Sequence, residues 1–521
     1  MANADRDARH VELIAGRCRQ LRSELEMNLA GYRARQDALA ERFRVARVVP
    51  RPYTETTRTA ILKQAGQCVE PWEFAWTSGT TSEPKQILYP ASRVQSLADH
   101  LVDQVLLAAA DYGVTSPRFC FLNTFAADRS LSGLLARACP SSPAALEIFG
   151  DYFAFRLVAM KLADRYSPLA LCWALIWSLR PTVVTTVNPS SLCMLLRNGR
   201  AVWAALYEQV RQILIDDDWR AVCDERGQAA IRSEVLDWLA ATPDPPAPAG
   251  MLPHLELIYC WQGGYVRPFV DQLRESLAPR QPHLAPMFSL STEVVAASIF
   301  PHLSRQAGLP IYPGCCYEFL PRDAEAAADD VLRPWDLVPG EEYRMVVSDT
   351  YGLVRYDTED VFRCVGHVGD APLIDFVRRH GLNYSFTGEK LTDSQLQAAY
   401  AEVAQANGLC GAAFTCFPCR GSHSLPGYVL IVLASDCALD REQTARQFDE
   451  ALGRINSEYA SKRATDRLAA PSLITMPPEA FAAKLARALP RTAGANPAQF
   501  KLLPLYTLLW EDVLAAGKDS P

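Results

Sequence analysis

The sequence has no run of lysine and arginine long enough to form a basic face, and its formal net charge is −7. A nucleic-acid partner needs such a face to displace counterions from phosphates, so none is expected. Long apolar runs are missing too. The most hydrophobic segment, Pro168 to Leu179, has twelve residues and closes on Arg180-Pro181, short of the roughly 20 that span a bilayer. It reads as a buried helix. The charged opening MANADRDARH has neither the apolar stretch nor the cleavage site of a leader, so the expectation is a soluble, cytoplasmic protein with no membrane partner. Fifteen cysteines are an odd number without framework spacing, which excludes a disulfide scaffold and points to reduced, buried thiols. The one close pair, Cys416 and Cys419, lacks the second pair or nearby histidines of a zinc site, and strand packing is its expected role. No Gly-x-Ser-x-Gly elbow occurs, so no serine is expected to act as a covalent nucleophile.

What is present is 521 residues of ordinary globular composition, 49% hydrophobic and 21% charged, enough for two or three domains. Val11, Ile14, Cys18, Leu21 and Leu25 recur at three- and four-residue steps and predict an amphipathic helix over residues 11–29. Thr182 to Val187 (TVVTTV) is β-branched enough for a covered parallel strand; Asn188-Pro189 ends it, and Ser190 is expected to cap the next helix. The strand-turn-helix order repeats, which predicts an α/β layering. Pro243 to Pro248 reads as a stiff loop ahead of the strand LELIYCW. EYRMVVS (342–348) and GLVRY (352–356) read as two strands joined through Asp349. Near residue 385 the pattern changes to helix, strand AAFTCF, strand YVLIVL and a helix over 441–460, a small α+β domain. The expected division is 1–384 and 385–521.

Three segments carry candidate chemistry. Thr77 to Lys85, TSGTTSEPK, follows the strand-like WEFAW. Its small residues Ser78, Gly79, Thr80, Thr81 and Ser82 leave backbone N–H groups and hydroxyls open to a polyphosphate, and Lys85 adds a cation. It is not a P-loop, because the second glycine and the Gly-Lys-Ser/Thr ending are missing. Ser289 to Glu293, SLSTE, offers Thr292 and a hard oxygen donor in Glu293. By itself Thr-Glu before an apolar run is a helix start. Gly352 to Asp360, GLVRYDTED, ends on Asp360, a carboxylate able to grip a diol.

TSGTTSEPK resembles the phosphate loop of the adenylate-forming superfamily, with Ser82 in place of a glycine. SLSTE resembles its aromatic-x-x-Thr/Ser-Glu motif with Ser289 where the aromatic stands, so Phe288 or Tyr317 is the expected stacking partner of adenine. GLVRYDTED resembles its Tyr-Arg-x-Gly-Asp motif with Glu359 in place of the glycine. From Ser78 to Glu293 is 215 residues, from there to Asp360 67, and from there to Lys501 141. That order matches the superfamily. NPSSL (188–192), CYEFLP (316–321), FVRRHGLNYSFTGEKLTDSQL (376–396) and FKLLP (500–504) resemble segments of one branch, the Gretchen Hagen family of acyl-acid–amido synthetases, over roughly residues 70–505.

The resemblance implies a large N-terminal adenylation domain of layered sheets and helices, followed by a mobile α+β C-terminal domain. It implies ATP and Mg²⁺, a small carboxylic acid and an amine or amino acid as substrates, and an acyl-adenylate between them. Carried over, Ser78 to Ser82 and Thr292 bind nucleotide, Glu293 holds Mg²⁺, Asp360 the ribose, and Arg378 the adenosine. Lys85, Lys390 and Lys501 face the phosphates, and the acyl pocket lies between Asn188-Pro189 and the Tyr317 strand. The same adenylation motifs serve ligases that acylate coenzyme A or a carrier thiol, and Ser82, Ser289 and Glu359 also suit a nucleotide-binding relative without turnover. High Ala, Arg and Pro content suggests a bacterial gene, in a specialised-metabolite pathway.

Overall fold

The computed structural model describes residues 2–76, 85–122, 131–138, 143–263, 266–322, 324, 330–379, 383–384, 386, 389, 391–409, 411–420, 425–434, 439–465, 467–488, 502–506 and 508–515. Helices and strands pack into two compact units. The larger comprises residues 1–77, 86–262 and 272–377, and the smaller is built mainly from 378–521.

In the larger unit, β1 (Trp72–Trp76) and β2 (Gln86–Pro90) pair antiparallel, closing at Trp76↔Gln86. The phosphate-loop candidate is the connection between them. A parallel sheet follows in the order β3 (Phe119–Phe121), β4 (Val183–Thr185), β5 (Leu257–Cys260), β6 (His283–Pro286). TVVTTV thus supplies an inner strand, and Val183 and Val184 are fully buried between its neighbours, as parallel strands covered on both faces require. Pro168–Leu179 is a helix over the whole expected span, with Ser167 accepting from the Ala170 N–H as its cap. Its tryptophans 173 and 177 are buried. Without charge on any face, it can only lie inside.

The sheet gives way to a short hairpin, β7 (Ser289–Leu290) and β8 (Val295–Ala297), and then to an antiparallel sheet. That sheet runs β9 (Cys316–Pro321), β10 (Glu342–Ser348), β11 (Tyr356–Val368), β12 (Ala371–Arg379). In the smaller unit β13 (Asn383–Tyr384) pairs with β14 (Leu391–Thr392), and β15 (Ala413–Arg420), β16 (Pro426–Leu433) and β17 (Ser472–Met476) form a second sheet. Thr392 caps the helix Asp393–Ala406 in a reciprocal capping box with Gln395. Residues 504–506 run beside β15, with Cys416 donating to the Pro504 carbonyl at 2.8 Å and Tyr506 donating to that of Cys416 at 2.9 Å.

Several local expectations are corrected. The N-terminal helix runs Ala2–Ala30 and buries Ile14, Cys18, Leu21 and Leu25, but Val11 stays exposed. The helix after β4 begins at Pro189, so Ser190 lies inside its first turn rather than capping it; proline at a first helical position costs no hydrogen bond. The helix over 441–460 is two helices, Arg441–Ile455 and Ser457–Ala464, because Asn456 accepts from the Tyr459 N–H and starts the second. GLVRY is not a strand. Gly352 at φ 109° and Arg355 at φ 45° turn the chain, and β11 starts at Tyr356. Cys416 is fully buried and Cys419 partly so, both with free thiols, on the strand β15. Among the described residues no helix is long and apolar enough to cross a membrane.

Candidate functional site

SLSTE forms the turn of the β7–β8 hairpin rather than a helix start. Ser291 donates its N–H to the Val294 carbonyl at 2.9 Å, and its hydroxyl accepts the N–H groups of Glu293 and Val294, both at 3.3 Å. A serine whose hydroxyl captures two following amides replaces the hydrogen bonds a helix would have made. The turn is pinned from β2 and from the helix that follows it. Tyr89 donates its hydroxyl to the Thr292 carbonyl at 2.9 Å, and Arg93 donates to the Glu293 carbonyl at 2.8 Å. The Glu293 side chain is 7% exposed and accepts from the Tyr356 hydroxyl at 3.2 Å.

Tyr356 opens the strand that carries Asp360. Along β11 the register against β10 jumps from Val346↔Asp357 to Arg344↔Val361, leaving a bulge at Thr358, Glu359 and Asp360. Glu359 sits in the left-handed region at φ 62°, the conformation for which the superfamily pattern's glycine is suited. Side chains hold the bulge: Asp357 accepts the Glu359 N–H at 2.9 Å, Thr358 accepts the Asp360 N–H at 3.2 Å and donates to the Met345 carbonyl at 2.9 Å. Asp360 itself is half-buried. Bulges recur beside active sites, where they interrupt the regular pleat, and this one contains the ribose candidate.

Arg93 was not expected from sequence. Buried on the helix Ala91–Asp111, its guanidinium lies 4.4 Å from the Tyr89 ring centre and 4.5 Å from that of Tyr351. It faces Asp349 at 3.3 Å. Asp349 organises the turn that replaces the expected strand, accepting the N–H groups of Tyr351 at 2.8 Å and Leu353 at 3.1 Å. Burial pushes the Asp349 carboxyl up, while Arg93 and those two amides pull it down, for a net rise. With Glu293, Tyr312 and Tyr351, these residues line a cavity of about 30 Å³. The legible signal was positional, since Arg93 stands four residues before Leu97 on the helix's apolar face, where a cation needs partners.

The structure therefore brings Thr292 and Glu293 onto one turn and ties that turn to the strand of Asp360. Lys85 is buried and immediately precedes β2. Arg378 lies on β12, and its side chain is outside the described residues, as are Ser78, Gly79, Thr80, Thr81, Ser82, Lys390 and Lys501. Phe288 and Tyr317 are fully buried. Phe288 packs on His100 with ring centres 5.1 Å apart, and Tyr317 donates to the Val295 carbonyl at 2.7 Å. The aromatic rings lining the cavity are those of Tyr89, Tyr312 and Tyr351 instead. At the carboxyl ends of the parallel strands, Thr185 Oγ1 and Gln262 Nε2 are buried with no hydrogen-bond partner among the described residues. Ligands of open parallel sheets bind at that edge.

No group of three or more metal-capable side chains occurs among the described residues. Mg²⁺ commonly takes one or two carboxylates and completes its shell with water and substrate phosphates. Glu293, a carboxylate on a fixed turn, fits that mode.

Two family descriptions match the chain: the GH3 family central domain over residues 309–379 and the GH3 family C-terminal domain over 394–507. A probable indole-3-acetic acid-amido synthetase GH3.1 of Oryza sativa is 33% identical over 195 residues, 35% of this chain and 32% of that protein. Jasmonoyl-L-amino acid synthetase JAR4 of Nicotiana attenuata is 24% identical over 246 residues, 43% of this chain and 41% of that protein. The chain thus spans about a third of the length of the first of these curated relatives. The solved structure of the GH3.15 acyl acid amido synthetase superposes with a TM-score of 0.68 at 17% identity, covering 90% of this chain and 87% of that one. Its complex with 2,4-DB gives 0.65 over 89% and 86%. At these identities the likeness shows the fold.

Proposed function

We propose that this chain is a member of the GH3 family within the adenylate-forming superfamily, and that it is an ATP-dependent acid–amine ligase. The observation that carries the proposal is the Glu293 turn, fixed by Tyr89 and Arg93 and hydrogen-bonded by Tyr356 at the head of the strand bearing Asp360.

In the first half-reaction an oxygen of the substrate carboxylate attacks the α-phosphorus of ATP, and the bond to the β-phosphate oxygen breaks to release pyrophosphate. In the second, the amine nitrogen attacks the acyl carbon, the C–O bond to AMP breaks, and a proton leaves the nitrogen. Bound Mg²⁺ supplies charge neutralisation at the phosphates, and Glu293 would hold it. Asp360, on its bulge, accepts the ribose hydroxyls; Ser78 to Ser82, Thr292 and Lys85 bind the phosphates; Lys390 and Lys501 join them from the C-terminal region; Arg378 flanks the adenosine. Residues 385–521 act as a mobile domain that excludes water from the adenylate between the two steps. The amine acceptor is favoured because the curated relatives are named an amido synthetase and a jasmonoyl-L-amino acid synthetase. The composition supports a bacterial specialised-metabolite setting.

Substrate-dependent exchange of labelled pyrophosphate into ATP across a broad acid panel tests the first half. Exchange with at least one acid is expected, and silence throughout counts against adenylation. Product masses from acid and ATP with an amino-acid mixture or coenzyme A identify the acceptor, the amide being expected.

A further inference from the structure

A second cavity in the larger unit lies away from the candidate nucleotide site. It encloses about 290 Å³ between the last turn of the helix Pro168–Leu179, the helix Ala229–Ala241 and the segment 251–254. Arg180 and Pro181 precede β4, and His254 precedes β5, so this cavity lies at the amino-terminal edge of the parallel sheet. Asn188, Trp261 and the hairpin of Glu293 follow the carboxyl ends of β4, β5 and β6, at the opposite edge.

The lining is apolar at its base and charged at its rim. Trp177 and Trp238 meet edge to face with ring centres 5.1 Å apart. Trp177 donates its indole N–H to the Met251 carbonyl at 3.0 Å, so its polar edge is satisfied and its ring is left for packing. Ile176, Val235 and Leu252 complete the wall. An apolar cavity of about 150 Å³ stays dry and takes up benzene, so this one accommodates a ring with a short side chain. At the rim, Arg180 pairs with Glu234 at 2.7 Å, and Arg118 donates to the Arg180 carbonyl at 2.8 Å. His254 is shifted down by burial and then by Arg118, Arg180 and Arg280, against Glu234 alone. With Arg118 bonded to the Arg180 carbonyl, two guanidiniums stand beside the one carboxylate of Glu234, and the rim is net positive.

The geometry points to a second small-molecule site here, for a single-ring aromatic carboxylate whose ring packs against the Trp177–Trp238 pair and the wall of Ile176, Val235 and Leu252, and whose anion meets Arg180. It stands independently of the ligase reading, because none of its residues belongs to the proposed nucleotide site. The probe is 3-phenylpropionate, titrated without ATP into the full chain, with calorimetry and tryptophan emission as readouts and 3-phenylpropionamide as the uncharged twin. Saturable binding of the acid is expected, with the amide about tenfold weaker for want of the charge-assisted hydrogen bond. Val235→Trp, which fills the cavity, should abolish both. Arg180 sits at φ 47°, so Arg180→Asn keeps a residue that tolerates the left-handed region; it should weaken the acid about tenfold and leave the amide unchanged. Glu234→Gln releases the guanidinium and should tighten the acid about two- to fivefold. No saturable binding, an amide equal to the acid, or undiminished binding in folded Val235→Trp would each overturn the assignment. Should Val235→Trp fail to fold by circular dichroism, the opposite signs expected of Arg180→Asn and Glu234→Gln decide it.

Discussion

Arg355 and Arg93 are both buried in the larger unit, yet they are held in contrasting ways. Arg355 meets both oxygens of Glu318, at 2.8 and 3.0 Å, and donates to the Val48 carbonyl at 2.9 Å. Bidentate pairing in a fully enclosed place fixes β9 against the start of β11. Arg93 instead lies between two tyrosine rings, bonds two backbone carbonyls, and faces Asp349 at the longer distance of 3.3 Å on a cavity wall. The first pair is scaffold; the second positions a turn that carries a candidate metal ligand. The contrast teaches that burial of a charge does not by itself mark function. What marks it is a charge spent on holding backbone beside open space.

The sharpest way to break the comparison is to delete each cation. Arg355→Met leaves the Glu318 carboxylate buried beside only Arg333 at 3.6 Å, and should cost about 3–5 kcal/mol in urea unfolding. Arg93→Met should cost less, about 1–3 kcal/mol, because the Asp349 carboxyl is already pushed up and can take a proton. Its larger effect should fall on pyrophosphate exchange. Equal stability losses with activity retained in Arg93→Met would erase the distinction.

Near the cavity side a buried histidine adds a dependence on pH. His100 packs edge-on to Tyr312 and Phe288 and contacts the Ser298 hydroxyl at 3.1 Å; burial pushes it down to about 4 from 6.5. Its folded proton affinity is depressed, so the unfolded chain binds the extra proton first as pH falls. Stability is intact above pH 6.5 and declines toward pH 4, by about 3 kcal/mol over that window. Unfolding curves across it should show the decline, and His100→Gln should flatten it. A variant as acid-sensitive as the parent removes His100 from the account.

How much of this was legible follows from range. Pro168–Leu179 and Glu342–Ser348 were readable in full, the first from a continuous apolar run and the second from a short strand-forming segment centred on Met345, Val346 and Val347. GLVRY misled because its alternation is that of a strand, while side chains outside it set its backbone: Asp349 binds the turn amides and Ser348 accepts the Arg355 N–H at 2.8 Å. The Glu293 and Asp360 segments were recognisable as motifs. Arg93 matched no motif: its place on an apolar helix face signals that it needs partners, but those partners, Glu293 and Asp349, lie 200 and 256 residues away, and no local pattern names them.

The comparison is sharpened at smaller scale by Tyr356. Tyr356→Phe removes the hydroxyl that orients Glu293 and nothing else. Residues that orient a metal ligand typically contribute 10–100-fold to metal affinity, so the Mg²⁺ concentration for half-maximal exchange should rise by about that factor, with a stability cost of about 1 kcal/mol. An unchanged Mg²⁺ requirement would separate Glu293 from the metal.

The smallest expected effect tests the bulge. Glu359 holds a left-handed backbone at φ 62°, which costs a residue with a Cβ roughly 1–2 kcal/mol relative to glycine; the greater freedom of glycine in the unfolded chain offsets up to about 1 kcal/mol of that. Glu359→Gly should therefore stabilise the fold by about 0.5–1 kcal/mol, read as a higher urea midpoint at unchanged slope. Because Asp357 and Thr358 still hold the bulge through their side chains, Asp360 should keep its aim, and the KM for ATP should stay within twofold. Stabilisation with a collapsed ATP affinity would mean that the glutamate side chain itself, rather than its backbone angle, serves the site.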